Sequence, residues 1–261
     1  MQLINKWKQR ISEQWFMFTE LTKRDFKLKY KGTFLGMFWS MLSPLLQLLV
    51  MRLVFTQFFG RDTPFYSTYL FSGLIVFNYY TESTNGSINA LSANKGIIQK
   101  IRVSKYLFLL SRNVSSVINF GIIIPIYLVF AAIDGVHFTW CYFALLFPIL
   151  VLPFFCIGVG MILSALQVFF KDTKYLYSIF IILLRYMSAI FYNINTIAES
   201  TQRYFLMNPV YVFIKYFRLI VIENTIPSLS YHLLMLLYTT LALLIGGLVY
   251  KKFNRKFAYY L

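Results

Sequence analysis

Acid is scarce in this chain. Nine Asp and Glu stand against twenty-five Lys and Arg, and charged residues make up only 13% of 261. The nine carboxylates (Glu13, Glu20, Asp25, Asp62, Glu82, Asp134, Asp172, Glu199 and Glu223) are scattered. None forms a close pair inside an apolar run, so paired-carboxylate acid–base chemistry has nowhere to sit. Histidine and cysteine are scarcer. His137, His232, Cys141 and Cys156 make no cluster with metal-ligand spacing. The two cysteines lie fifteen residues apart in one apolar run, too far along a helix to bridge. The GxxxxGK[ST] phosphate loop is missing, which excludes nucleotide hydrolysis by that route. No metal and no cofactor are expected in the chain itself.

Hydrophobic residues, by contrast, make up 59% of the chain, far above the balance of a soluble domain. They gather in six segments at about 33–59, 68–89, 108–133, 140–166, 175–192 and 229–250. The expected fold is an all-α integral membrane protein with six transmembrane helices (residues 33–261) after an amphipathic start (1–32). Six spans put both termini on one side. Nineteen of the twenty-five cations fall on that side, in residues 1–35, 91–112, 166–176 and 251–261. Such asymmetry marks the cytoplasmic face. The +16 net charge is thereby accounted for by orientation and by anionic lipid headgroups, and nucleic-acid binding is not expected.

The segments outside the spans carry their own patterns. Residues 1–30 have no continuous apolar core, so they are not a cleaved signal. Leu3, Trp7, Ile11, Trp15 and Phe18 form one stripe, with Lys6, Lys8, Arg10 and Glu13 off it, which predicts a helix lying in the cytoplasmic interface. A second cytoplasmic helix is expected at 92–107, where Ile97, Ile98 and Ile101 alternate with Lys95, Lys100, Arg102 and Lys105. Residues 204–221 are apolar enough to suggest a seventh span. Lys215, Arg218 and the Asn208–Pro209 break argue against it, and a seventh span would move the basic C-terminal end outside. Two short helices at about 197–222 are expected instead, dipping into the outer leaflet on either side of Asn208–Pro209 and covering an exit. In the second, Tyr211, Lys215, Arg218 and Ile222 share one face.

Aromatic residues form 20% of the chain and cluster towards span ends. They suit a belt at the headgroups, or rings stacking along a sugar path. Tyr79, Tyr80 and Tyr186 lie deeper and fit the second use best. Three charges, Arg52, Glu82 and Arg185, fall within spans, where ionisable residues face a bundle interior or water. At 1.5 Å per residue, Arg52 and Glu82 are separated by about 14 Å in depth. The expected pair is therefore Glu82 with Arg185, either as a purely structural ion pair or with Arg52 and Arg185 guiding a lipid pyrophosphate. Gly158-x-Gly160 and Gly246-Gly247 suit close packing between helices.

The run RDFKLKYKGTFLGMFWSMLSPLL (24–46) resembles the approach to the first span in membrane subunits of type-2 ABC exporters for polysaccharides. Further similarities follow in order. NKGIIQKIRVSKYLFLLSR (94–112) resembles the family's coupling region, with Val103-Ser104-Lys105 in place of Phe-Pro-Arg. ALQVFFKDTKYL (165–176) resembles the turn between the fourth and fifth spans. AIFYNINTI (189–197) and MNPVYVFIKYFR (207–218) resemble the end of the fifth span and the outer gate helices, with Ser188-Ala189 where Ser-Pro is usual. The resemblance implies a bacterial plasma-membrane permease acting as a homodimer with two copies of a separate ATPase, which binds ATP and Mg2+. Its substrate would be a lipid-linked polysaccharide such as O-antigen, teichoic acid, capsule or rhamnan. Under it, Tyr30, Phe34, Trp39, Arg52, Tyr79, Tyr80, Glu82, Arg185 and Tyr186 are substrate-channel candidates. Lys95, Lys100, Arg102, Lys105, Lys171 and Asp172 are ATPase-coupling candidates, and Asn208, Pro209, Tyr211, Lys215 and Arg218 are outer-gate candidates. An exporter of drugs or small lipids and a membrane enzyme acting on polyprenyl lipids remain the alternatives.

Overall fold

The computed structural model describes residues 2–59, 65–101, 103–194, 198–254 and 256–260, and among them there is no strand. Helix α1 (Gln2–Tyr30) runs unbroken for 29 residues. Two glycines with left-handed backbone, Gly32 (φ 80°) and Gly36 (φ 50°), turn the chain into α2 (Trp39–Phe59). Then follow α3 (Tyr66–Ile88), α4 (Lys95–Lys100), α5 (Tyr106–Ile133), α6 (Leu146–Phe169) and α7 (Thr173–Met187). The chain ends with α8 (Glu199–Phe205), α9 (Pro209–Val221), α10 (Leu229–Phe253) and α11 (Phe257–Tyr260). Among the described residues, four segments are long and apolar enough to cross a membrane: Gly36–Val54, Tyr106–Ile133, Trp140–Phe169 and Leu229–Phe253.

The remaining two long apolar runs of the sequence differ from these for separate reasons. Helix α3 is rich in Ser, Thr, Asn and Tyr, yet every residue from 66 to 77 is buried. It is the central helix, packed against α2, α5, α6, α7 and α9. Its hydroxyls tolerate burial because they bond locally: Ser72 to the Tyr69 carbonyl, Thr84 to that of Tyr80, Ser87 to that of Ser83. The Asp134 carboxylate, from the end of α5, accepts from the Thr68 backbone N–H and hydroxyl at 2.8 and 2.7 Å. It thus satisfies the first turn of α3 and its positive dipole end.

Helix α7 has fifteen residues and stops at Met187, short of the expected 192. The cause is Ala189, whose φ of 47° lies in the left-handed region and breaks the helix without a proline. A proline, fixed near −65°, could not adopt this backbone, so Ser188-Ala189 produces the break by another geometry. The expected cytoplasmic helix at 92–107 is also shorter. A 3-10 turn (Ser92–Asn94) leads into α4, and Ile101 is already extended (φ −127°, ψ 138°), five residues before α5 begins.

Helix α9, the second of the two short helices expected to dip into the outer leaflet over an exit, is buried from 210 to 221 except for Lys215 and Leu219. It packs on α3, α6, α10 and the 3-10 turn at Trp140–Leu145. Its start was legible: Asn208 accepts from the Val210 N–H at 3.0 Å, with Pro209 at the first helical position. Helices α2 and α7 are the reverse. Leu46, Leu49, Val50 and Leu53 on α2, and Ile179, Ile182 and Leu183 on α7, are exposed in the single chain.

Helices α6 and α10 make the closest approach. A Cβ on Gly158 would lie 2.5 Å from the Ala242 carbonyl carbon, and one on Gly246 2.7 Å from the Gly158 oxygen. Gly160 abuts Ser87 in the same way, whereas Gly247 meets nothing within 4 Å. Gly158→Ala should therefore destabilise the fold by about 1–3 kcal/mol through overpacking, and Gly247→Ala should not. Thermal unfolding of both variants in detergent checks this contrast.

Candidate functional site

A cleft of about 510 Å3 opens between the end of α1 and helices α2, α3, α5 and α7. Its walls are unusually polar for a space flanked by apolar helices. Ser40, Ser43 and Gln47 come from α2, Asn78, Thr81 and Glu82 from α3, Ser116 and Asn119 from α5. Lys29 contributes from α1 and Arg185 from α7, with the exposed Trp39 ring and the buried Tyr79 ring, packed on Phe120, beside them. Asn78 donates to the Gln47 side-chain oxygen at 2.8 Å, tying α3 to α2.

Glu82 pairs here with Lys29 at 2.7 Å and accepts from the Asn119 amide at 2.9 Å. The expected Glu82–Arg185 pair is thus replaced. The reason is geometric: α1 runs on to Tyr30 and delivers an ammonium to the same level of α3. The Arg185 guanidinium instead lies over the Phe77 ring, 5.2 Å from its centroid, and its Nε is buried without a hydrogen-bond partner. Among the described residues no carboxylate pairs with Arg185.

A second polar cluster lies beside this cleft, at the basic end of the molecule. Asp25, only 1% exposed, receives Arg24 at 2.8 Å, Arg112 at 3.4 Å and the Ser111 hydroxyl at 2.8 Å. Arg24 also donates to the Asn94 side-chain oxygen at 2.7 Å. One carboxylate therefore joins α1, α5 and the turn before α4. Sequence reasoning missed Asp25; the signal was a lone acid inside a basic run, which in a helix packed on another can survive only if it is paired.

The opposite end is organised by a buried cation. Arg218, 6% exposed, donates to the carbonyls of Tyr69, Ala189 and Ile190 and to the Ser72 hydroxyl, at 2.9–3.2 Å. Its guanidinium lies 3.5 Å from the Tyr69 ring centroid. Asn208 donates to the Ser188 hydroxyl at 2.9 Å and to the Met187 carbonyl, so both residues hold the break after α7 against α9.

Residues 17–222 match the family described as ABC-2 type transporter. The chain belongs to that membrane family. The O-antigen export system permease protein RfbA of Myxococcus xanthus is 28% identical over 212 residues, 80% of this chain and 81% of that protein. RfbA of Klebsiella pneumoniae is 28% identical over 244 residues, 91% and 92% of the two chains. The polysialic acid transport protein KpsM of Escherichia coli is 23% identical over 234 residues, 87% and 90%. Membership makes this ABC-2 protein a multi-pass membrane transporter subunit.

The structure of the ABC-2 protein distributes the sequence candidates unevenly. Trp39, Tyr79, Glu82 and Arg185 converge on the cleft. Tyr80 does not: it is buried against Phe155 and lines a separate groove between α6 and α7. Phe34 is fully exposed, and Arg52 and Tyr186 face outward on α2 and α7. Lys95, Lys100, Lys171 and Asp172 are exposed. Lys105 is folded inward, donating to the Asn254 carbonyl beside the Phe257 ring, and this burial lowers its pKa below that of an ordinary lysine. Tyr211 and Arg218 are buried and Lys215 is half-buried. The Tyr30 side chain and Arg102 lie outside the described residues.

Arg218→Met removes four hydrogen bonds, to three carbonyls and a hydroxyl, and should cost about 2 kcal/mol or more, taking each intramembrane bond at its average of ~0.6. Asp25→Asn should cost roughly 1–3 kcal/mol, the penalty of an incompletely satisfied buried group. Thermal unfolding of the purified variants measures both.

Proposed function

We propose that this chain is the permease subunit of an ATP-driven exporter that moves a lipid-linked polysaccharide from the cytoplasm to the outer side of a bacterial plasma membrane. The observation that carries this reading is the cleft. Hydroxyls, amides and an ion pair line a space large enough for a few sugar units, with the exposed Trp39 ring available to pack on sugar C–H faces. The names of the relatives, O-antigen export and polysialic acid transport, support the same substrate class.

In this reading α2, α3, α5, α6, α7 and α10 are the six spans, and the basic end with α1 and α4 is cytoplasmic. Two copies pair through the exposed apolar faces of α2 and α7, which gives the path a two-fold axis. Two copies of a separate ATPase carry ATP and Mg2+. They dock on α4 and the α6–α7 turn, where Lys95, Lys100, Lys171 and Asp172 stand free of the fold's interior. Helices α8 and α9 form the outer rim, with α9 as its fixed part because of its burial. Arg52 faces the path or the partner copy. An exporter of small lipids is the competing reading, favoured by the apolar groove of about 960 Å3 between α6 and α7.

Co-expression with a distinct ATPase and reconstitution into vesicles tests the proposal. ATPase turnover should rise with lipid-linked glycan, and glycan should appear outside. Transport without any ATPase, or stimulation by small lipids alone, would reject it. Joint Lys95→Glu and Lys100→Glu changes should cut ATPase co-purification severalfold while the permease's own melting temperature stays unchanged.

A further inference from the structure

Arg185 is a guanidinium in the last turn of α7, a helix with an exposed apolar face, and an isolated charge there is costly if the helix lies in lipid. Ionisable residues inside a membrane pair with one another or with backbone carbonyls. Here the one acid in the cleft, Glu82, is engaged by Lys29 at 2.7 Å and by Asn119 at 2.9 Å. The Phe77 ring face gives Arg185 a platform without neutralising it. Its Nε donates to nothing, and the Thr81 hydroxyl, on the same cleft wall, is also buried without a partner. The cleft therefore holds two cations against one carboxylate, and three of its lining side chains, Arg185, Thr81 and Tyr79, carry a buried polar atom without a partner.

We infer that the cleft is a binding site for the phosphate or diphosphate headgroup of a membrane lipid, anchored on Arg185 and completed by Lys29. This rests on the exporter reading and names the part of the substrate that the cleft takes. A planar guanidinium beside an aromatic ring keeps a fork of N–H donors, which matches phosphate oxygens. The Lys29–Glu82 pair is exchangeable. Its side chains are 35% and 39% exposed, so little desolvation is lost when the ammonium turns to a phosphate oxygen. Glu82 keeps the Asn119 amide when it does. Because Lys29 stands on α1, arrival of a headgroup transfers one contact of α1 from α3 to the ligand. The exposed Trp39 ring then flanks the first sugar beyond the phosphate.

The test uses the full chain in detergent and measures binding of farnesyl diphosphate, farnesol, inorganic pyrophosphate and phosphatidylglycerol. Farnesyl diphosphate should bind at least tenfold tighter than farnesol. Arg185→Gln should erase that difference, Arg185→Lys should restore part of it, and Lys29→Gln should weaken diphosphate binding severalfold. Lys29→Gln lies at the exposed rim and keeps the test decisive if Arg185→Gln fails to fold. Lys174→Gln, outside the cleft, serves as the unaffected control. Equal binding of farnesol and its diphosphate, or unchanged diphosphate binding in both cleft variants, would overturn the inference. Inorganic pyrophosphate binding as tightly as farnesyl diphosphate would overturn the lipid assignment, and tighter binding of phosphatidylglycerol would make the ligand a bulk phospholipid rather than a carrier. Vesicle export by the wild type, measured alongside, separates this failure from failure of the exporter reading: export with no headgroup selectivity removes only the site.

Discussion

In hydrocarbon a backbone carbonyl that leaves a helix has no water to turn to, and this constraint shapes the whole chain. The protein breaks its helices in the middle of apolar sequence, after α7, and meets the constraint with side chains: Asn208, Tyr66 and Tyr69 donate to carbonyls there, and Arg218 does most. Arg218 collects the carbonyls of Ala189 and Ile190 from the break and that of Tyr69 from α3. Without that guanidinium the left-handed turn at Ala189 would be both strained and bare. With it, α9 can be buried as thoroughly as the central helix. The same logic operates in reverse at the basic end, where the Asp25 carboxylate gathers Arg24, Arg112 and Ser111 from separate elements.

Local signals carried most of the architecture. Long apolar runs became α2, α5, α6 and α10, and the Asn208–Pro209 pair became a capped helix start because cap chemistry acts within three residues. What the pattern did not carry was burial. Helix α3 reads as a mixed sequence with many hydroxyls and one carboxylate, and helix α9 as an apolar one interrupted by two cations. Whether such a stretch lies at a surface or in a core depends on partners more than a hundred residues away, such as Ser72 for Arg218. The end of α7 escaped for a related reason: an alanine in left-handed backbone leaves no compositional trace, unlike a proline or glycine.

The site was legible in part. Charges inside apolar runs pointed to Glu82 and Arg185, and both line the cleft. Their pairing was not, because the competing partner, Lys29, belongs to a segment whose reach depends on how far α1 continues. Asp25 was overlooked among its basic neighbours although its burial makes it the better indicator of tertiary structure. Tyr79 and Tyr80 illustrate the limit of sequence adjacency: neighbours on a helix point about 100° apart, so one faces the cleft and the other Phe155.

The two left-handed glycines between α1 and α2 have a mechanical meaning. Helix α1 is clamped to α5 by the Asp25 ion pairs and to α3 by Lys29, but its covalent continuation into α2 passes through Gly32 and Gly36. Helix α1 is thus tied laterally to its neighbours, while its covalent link to α2 runs through backbone that only glycine adopts without strain. Helix α2, with little of its surface packed in the single chain, meets α3 through the Asn78–Gln47 bond. Helices adjacent in the chain therefore belong to different sets of contacts.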